Sequence, residues 1–397
     1  MTVPTAVHAP PRWGPRPTVT PAPDPVVAPD PVADLAHHVL RSLARRDQRR
    51  SAELYIRGLL EATGRKTIRN IASHTGDPAD AQRLHHLVSA STWDWRPVRA
   101  ALARHMGGLL PPRAWVVHTA TVPRAGRGGV GVDHFADPRT ARTVRAQRAF
   151  GLWAASDRGG FPVDWQLQLT PRWLDDGHLR EQAGIPADAV ALDGVSAGLA
   201  MLLDTARTGA APHPPVLLDA RHAPAGRVAA LLGAHGFSYL LRISAAQLLT
   251  RLGADGRATG PPGTARELAG ALPRGLLSRV PAPRPAAGRR EAARVLCRAA
   301  DGPGPGRRQL LLALRDPVGP LDAAFWLTDL TALDTVALVR LAAVPAQVAR
   351  GASGTGRSIG LYDFEGRSYA GWHRHITLAS AAHATTLLPP THDRTTP

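Results

Sequence analysis

The chain has 397 residues, 44% of them hydrophobic, which is enough to bury a substantial core and to form more than one domain. Its 48 Lys and Arg residues outnumber 31 Asp and Glu residues, and the formal net charge of +17 favours a polyanionic partner, most often nucleic acid. The single cysteine, Cys297, excludes an internal disulfide and a cysteine-based zinc site.

Neither a secretion signal nor a membrane anchor is recognisable in the sequence. Prolines at positions 4, 10, 11 and 15 interrupt the N-terminus, so it lacks an apolar core of signal-peptide length. No uncharged apolar run reaches the roughly 18 residues of a membrane span. We therefore expect a cytoplasmic protein.

The first third of the chain divides into an arm and a helical region. Residues 1–32 are rich in proline and predict a disordered or extended arm. Residues 33–110 show helical spacing and predict a DNA-binding domain. Two short helices, at 67–74 and 79–90, flank a Gly-Asp-Pro turn and are compatible with a helix-turn-helix, although such pairs occur in any helical domain. A basic cluster lies at the start of the first of them: Arg65, Lys66 and Arg69.

Residues 111–243 change to strand periodicity and predict an α/β core. Strands are expected at 114–122, 143–155 and 164–170, followed by a helix at 194–208. A strand-helix-strand unit at 215–243 then predicts a parallel pair with a right-handed connection. The resulting order β-β-β-α-β-α-β matches an RNase H-like core with a mixed sheet.

Asp219 ends the first apolar strand of that last unit. Open α/β sheets place their chemistry at the carboxyl ends of such strands, which makes this carboxylate the main functional candidate. An Asp at this position also starts turns by accepting a hydrogen bond from its own backbone. The spacing alone leaves both interpretations open.

The rest of the chain predicts an insertion, the end of the core and a tail. Residues 244–308 are rich in Pro, Gly and Arg and predict an irregular insertion with exposed, mobile loops. Residues 309–388 predict two strands, a helix, a Gly-rich turn and a closing helix, and 389–397 a disordered tail. The Gly-rich stretch 124–135 lacks a Walker pattern, so a nucleotide-binding P-loop is not supported.

Several segments spread between about residue 35 and residue 388 resemble the DDE-superfamily transposases of bacterial insertion sequences. Their order and spacing, more than any single motif, carry the resemblance. The segments are Tyr55 with GLL (58–60) and GRK (64–66), WDW (93–95), VGV (130–132), DWQLQL (164–169), PRWLDD (171–176), AGIP (183–186), VLLDA (216–220), HGFSYLLRI (235–243) and IGLYDFEGRSYAGWHRHITLA (359–379).

The resemblance implies an RNase H-like core in which two Asp and one Glu bind a pair of divalent metal ions for phosphoryl transfer. Asp219 matches the second Asp. His118 stands where the first Asp is expected, and Ala349 stands where the Glu is expected on a later helix. We expect Pro345 and the run 351–356 to shorten or break that helix.

One carboxylate cannot hold two Mg²⁺ ions, so the sequence predicts a transposase-like DNA-binding protein that has lost metal-dependent strand cleavage and transfer. No cofactor is expected. The expected partner is DNA, as terminal repeats or chromosomal sites in the nucleoid, and a homodimer is compatible with the sequence. The predicted DNA contacts are Arg65, Lys66, Arg69, Arg124, Arg127, Arg367 and Arg374.

Three alternatives remain. The first is an active Mg²⁺- or Mn²⁺-dependent transposase whose triad is rebuilt from other acids, the candidates being Asp133, Asp164, Asp175, Asp176 and Glu365. The second is a zinc hydrolase in which His118 and Asp219 combine with His373 or His375. The third is a gene product without a selected role.

Overall fold

The structure, a computed structural model, describes residues 30–126, 128–136, 142–207, 214–281, 289–302, 308–315 and 324–389. The predicted helical region is present at the start of this part of the chain. Its α-helices are α1 (Pro31–Val39), α2 (Arg46–Glu61), α3 (Ile68–Ala72), α4 (Asp80–His85) and α5 (Trp95–Leu109).

Side-chain caps fix where these helices begin. Asp30 caps α1 by accepting the backbone N–H of Val32, so α1 includes the last two residues assigned to the arm. Thr67 caps α3 as the sequence suggested, and Gly76, at φ 77°, forms the turn towards α4. Helix α5 begins at Trp95 and not at 91 or 92, because Asp94 accepts the N–H two residues on.

The predicted strands and helices of the core are present, with one further strand and two further short helices. They are β1 (Ala114–Pro123), β2 (Val132–Ala136), β3 (Thr143–Ala155), β4 (Gly160–Leu167), α6 (Pro171–Asp175), α7 (Gly177–Ala183), α8 (Gly194–Arg207), β5 (Val216–Asp219), α9 (Ala225–Ala234) and β6 (Tyr239–Ile243). Strand β2 was not predicted, because its short polar segment follows a Gly-rich stretch that reads as a loop.

Strand pairing gives a mixed sheet. Strand β3 pairs antiparallel with β1 on one side, and with β2 and β4 on the other. Strand β1 pairs parallel with β5, and β5 pairs parallel with β6, as expected for the strand-helix-strand unit. This mixed α/β arrangement is consistent with an RNase H-like fold.

The predicted irregular insertion is wrong in its described part, which extends the same sheet. Its elements are β7 (Leu248–Arg251), β8 (Gly263–Thr264), α10 (Ala265–Gly270), β9 (Ser278–Pro281) and β10 (Arg289–Ala299). Strand β10 buries mainly small side chains, such as Ala293 and Cys297, so its strand signal is weak. Its partner β11 (Gln309–Arg315) contributes a run of leucines, and β12 (Ala324–Thr328) joins β11 to β6. The described sheet has 12 strands.

Three helices close the described chain: α11 (Thr335–Ser353), α12 (Thr355–Ser358) and α13 (Tyr369–Thr385). The expectation that Pro345 would break α11 is wrong. Buried residues lie on both sides of the proline, Leu338 and Val339 before it and Val348 after it, and this packing stabilises the helix across the missing N–H. Helix α13 is buried along its length and packs against β4, α2 and α5. None of the helices described here is long and apolar enough to cross a membrane.

Candidate functional site

The parallel strands bring the two sequence-predicted site positions together. Strands β1 and β5 pair in register at Val116 and Leu217, and extending that register by two residues puts His118 level with Asp219 on the same face of the sheet. Strand β6 pairs Asp219 with Arg242 on the next strand. The sheet therefore aligns an imidazole, a carboxylate and a guanidinium across three neighbouring strands.

The carboxylate of Asp219 is occupied by a neighbouring arginine. Arg221 donates Nε to Oδ1 at 2.9 Å and Nη2 to Oδ2 at 2.6 Å, which is bidentate geometry. The backbone N–H of Arg221 also donates to Oδ1 at 3.1 Å, the local turn that the sequence had left open. Burial acts to raise the pKa of Asp219, but the hydrogen bonds and charge of Arg221, with the charge of Arg242, lower it overall.

Arg242 carries a second guanidinium, whose charge acts on the same carboxylate. Its side chain lies over the ring of Trp326 at 5.3 Å, on the strand beyond β6. Its Nε is buried and has no hydrogen-bond partner among the described residues. Burial, followed by the charge of Arg221, lowers the pKa of Arg242. Two cationic groups therefore act on the carboxylate that the resemblance matches to the family's second acid.

His118 lies among aromatic rings. Its imidazole contacts Trp153 edge to face, with ring centroids 6.1 Å apart, and Trp153 contacts His383 of α13 in the same way at 5.2 Å. Burial lowers the pKa of His118 to about 4, so the ring is neutral at pH 7. The residue that the resemblance places at the first acid position is therefore an uncharged ring.

Ala349, which the resemblance places at the third acid position, has no ligand atom. Ala349 lies on α11, which packs against β1, and its side chain is a methyl group. A pair of Mg²⁺ ions needs several carboxylate oxygens to bind it and to offset its charge. These three positions supply one carboxylate, already bonded to Arg221. The residues present do not fit the metal pair that the resemblance implies.

The other acids proposed to rebuild the site have partners elsewhere. Asp164 pairs with Arg99 at 2.8 Å, and Glu365 pairs with Arg65. Asp133 accepts the hydroxyl of Thr170, Asp176 caps α7, and Asp175 ends α6. In the described chain, no group of three His, Cys, Asp or Glu ligand atoms converges at Asp219.

The two histidines of the alternative zinc site are also engaged. His373 bonds Arg99 at 3.0 Å and stacks on Trp95. His375 bonds the hydroxyl of Tyr55 at 2.8 Å and the carbonyl of Gly360 at 3.0 Å. Their partners lie on different elements, as alternate positions on a helix require. The described geometry does not support that zinc site.

Three of the predicted DNA contacts point inwards. Lys66 is 5% exposed, and its ammonium donates to the carbonyl of Ala62. Arg374 is 7% exposed and donates to the carbonyls of Trp93 and Val88. Arg124 donates to the carbonyls of residues 362 and 364. In this arrangement the donors of these three side chains are used to hold the fold together, which does not favour them as DNA contacts.

The exposed members of the predicted set are Arg65, Arg69 and Arg367. Arg127 lies outside the described residues. Sequence reasoning missed Arg221 and Arg242, although each left a signal. Arg221 stands two residues after an Asp that starts a turn, and Arg242 is the one charged residue within the apolar strand 239–243.

Comparison with known proteins identifies the family. The DDE superfamily endonuclease family matches residues 38–302, about two thirds of the chain, which includes His118 and Asp219 but not Ala349. The comparison with curated proteins gave no match. Because the family match covers about two thirds of the chain, from the end of α1 to just beyond β10, this protein belongs to the DDE superfamily endonucleases.

Proposed function

We propose that this chain is a transposase-derived DNA-binding protein that no longer cleaves or transfers DNA strands. Family membership implies DNA as the partner. The observation that carries the loss of chemistry is the bidentate ion pair between Asp219 and Arg221. In this proposal the segment β4-β3-β1-β5-β6 is an RNase H-like core whose acidic centre has become cationic.

The charges at the site oppose metal binding. Two-metal catalysis requires an anionic pocket that concentrates divalent cations beside the scissile phosphate. Here one carboxylate is offset by Arg221 and faces Arg242, and the neighbouring His118 is neutral. A cation entering this position meets net positive charge, and it must also displace a guanidinium from both oxygens of Asp219.

The same charges favour a DNA backbone. Guanidinium groups bind phosphate oxygens in bidentate geometry. Arg221, two residues after the end of β5, is 46% exposed. The exposed Arg65, Arg69 and Arg367 add to a chain whose net charge is +17. Phosphate contacts are individually weak, and their sum gives affinity that falls steeply with salt.

The test is incubation of the purified chain with end-labelled duplex DNA and Mg²⁺ or Mn²⁺. We expect binding that weakens as salt rises, without nicked or joined products. Asp219→Asn, which keeps the shape of the side chain, should bind and behave like the unchanged protein. Terminal repeats and chromosomal fragments serve as separate probes, and the mass of the complex shows whether a homodimer forms.

The second candidate is an active endonuclease, and family membership is the observation that favours it. Products that appear with the unchanged protein and vanish in Asp219→Asn would establish that alternative. Absence of DNA binding at low salt would contradict both, and would leave a chain without the function of its family.

A further inference from the structure

Two helices of the N-terminal region bring three metal-ligand side chains together, far along the chain from Asp219. Asp34 and His38 are four residues apart on α1 and so share one face of that helix. His105 comes from α5, which packs against α1. One ligand atom from each of the three lies within 4.8 Å of the other two. We propose that Asp34, His38 and His105 form a binding site for Zn²⁺.

An unsatisfied nitrogen in His105 is the first independent support. Its Nε2 is buried and has no hydrogen-bond partner in the described part of the chain. The nearest carboxylate oxygen, Oδ2 of Asp34, is 4.0 Å away, which is too far for a hydrogen bond. A buried polar atom without a partner destabilises the fold. A metal ion between Nε2 and the carboxylate would satisfy both.

The hydrogen bond of His38 is the second support. Its Nδ1 donates to the backbone carbonyl of Asp34 at 2.8 Å, and because a carbonyl only accepts, Nε2 of the neutral ring keeps a free lone pair. Zinc-binding histidines are commonly oriented through their second nitrogen in this way. The rings of His38 and His105 stack with centroids 4.3 Å apart and planes 15° apart, so one imidazole must rotate before the in-plane lone pairs of both rings can meet at one ion.

The ligand types select the metal. Two imidazole nitrogens and one carboxylate suit Zn²⁺ and its neighbours Co²⁺ and Ni²⁺, whereas Mg²⁺ and Ca²⁺ prefer oxygen ligands throughout. Tetrahedral Zn²⁺ with bonds of about 2.1 Å places its ligands about 3.4 Å apart, so the three side chains must draw together by roughly 1 Å. Asp34 is 52% exposed and can make this adjustment. Water completes the coordination on the exposed side.

Bound Zn²⁺ would clamp α1 onto α5 and so hold the start of the helical region in place. This site shares no residue with the position around Asp219. Its presence or absence is therefore independent of whether the chain binds or cleaves DNA.

The experiment uses the full chain without a histidine tag, freed of metal by a chelator and titrated with Zn²⁺ against a chromophoric competitor. We expect one Zn²⁺ per chain and a rise in the melting temperature. His38→Ala, His105→Gln and Asp34→Asn should each weaken binding by at least about tenfold, the size of effect that even the groups supporting a zinc ligand have. Co²⁺ should give the visible absorption of a tetrahedral site.

His37→Ala is the matched control. His37 is the next residue on α1, but its ring bonds Arg41 and is not part of the group. This variant should bind Zn²⁺ like the unchanged chain. Absence of stoichiometric Zn²⁺ binding, or binding that persists in both His38→Ala and Asp34→Asn, would overturn the proposal. Asp34→Asn changes an exposed side chain, so a folding failure cannot account for its result.

Discussion

Arg221 holds Asp219 by both carboxylate oxygens, with Nη2 2.6 Å from Oδ2 and Nε 2.9 Å from Oδ1. This contact occupies, with a protein cation, the acid that the family pattern assigns to a metal ion. Its consequences can be measured separately from DNA chemistry.

Arg221→Gln should raise the pKa of Asp219, because burial then acts without the guanidinium that lowers it. Because the pKa of Asp219 is lower in the folded chain than the unfolded value of 3.8, the carboxylate stabilises the fold at pH values above 3.8. This stabilisation is lost as the pH falls through the pKa of the folded chain. Both side chains are about half exposed, so the change in unfolding free energy should stay below about 1 kcal/mol.

Carboxylate NMR titration of Asp219 measures this shift. Arg227→Gln, at an exposed position on the following helix, is the control and should leave the pKa of Asp219 in place. An unchanged titration in Arg221→Gln would show that the ion pair does not form in solution.

Arg99→Ala should destabilise the chain by about 3–5 kcal/mol, because it leaves a buried carboxylate without its cation. Arg99 bonds Asp164 at 2.8 Å, Thr377 at 2.7 Å and the carbonyl of Trp165 at 2.8 Å. Burial lowers the pKa of Arg99 and raises that of Asp164. Urea unfolding measures the loss. Arg96→Ala, whose side chain is 69% exposed, should cost less than about 1 kcal/mol, and equal losses would contradict the role of the buried pair.

Stability should fall between pH 6.5 and pH 4. Burial lowers the pKa of three histidines, His118, His375 and His383, from 6.5 to about 4. In this range the unfolded chain binds more protons than the folded chain, so the unfolding free energy decreases as the pH falls. Urea midpoints at pH 7 and pH 5 measure the slope. His118→Asn should make it shallower, and a slope that stays the same would mean that His118 is not buried and neutral.

Arg69→Ala should affect DNA binding, whereas Arg374→Ala should affect the stability of the fold. Arg69 is exposed on α3, so its loss should weaken DNA binding and reduce the salt slope by about one unit without changing stability. Arg374 donates to two buried carbonyls, so its loss should lower stability by about 1–3 kcal/mol. Fluorescence anisotropy and urea unfolding separate the two effects. Identical salt slopes for the unchanged chain and Arg69→Ala would remove Arg69 from the proposed DNA surface.

Apolar periodicity was sufficient to predict most of the core. The runs that form β1, β5 and β6 are short, continuous and bounded by turn residues, and the parallel pairing of β5 with β6 follows from the helix between them. The same logic placed Asp219 at a strand end. Apolar periodicity did not predict β10, because its alternating small residues and arginines resemble a loop. Pairing with β11 is what makes this segment a strand.

The site was harder to predict because tertiary contacts decide whether each Arg or Lys side chain points into the solvent or into the protein. Arg65 and Lys66 are adjacent, yet one is exposed and the other is buried against the carbonyl of Ala62. Asp219 and Arg242 are paired only because β5 and β6 are in register. The group formed by Asp34, His38 and His105 joins residues more than sixty positions apart in the sequence, a separation that no local spacing reveals.

The most direct measurement of the central claim is Mn²⁺ binding followed by electron paramagnetic resonance, comparing the unchanged chain with Asp219→Asn in the presence of DNA. Because Asp219 is neutralised by Arg221 and Arg242, the two proteins should give the same binding curve. Loss of a pair of Mn²⁺ ions in Asp219→Asn would contradict the account and show that a two-metal site forms at this acid.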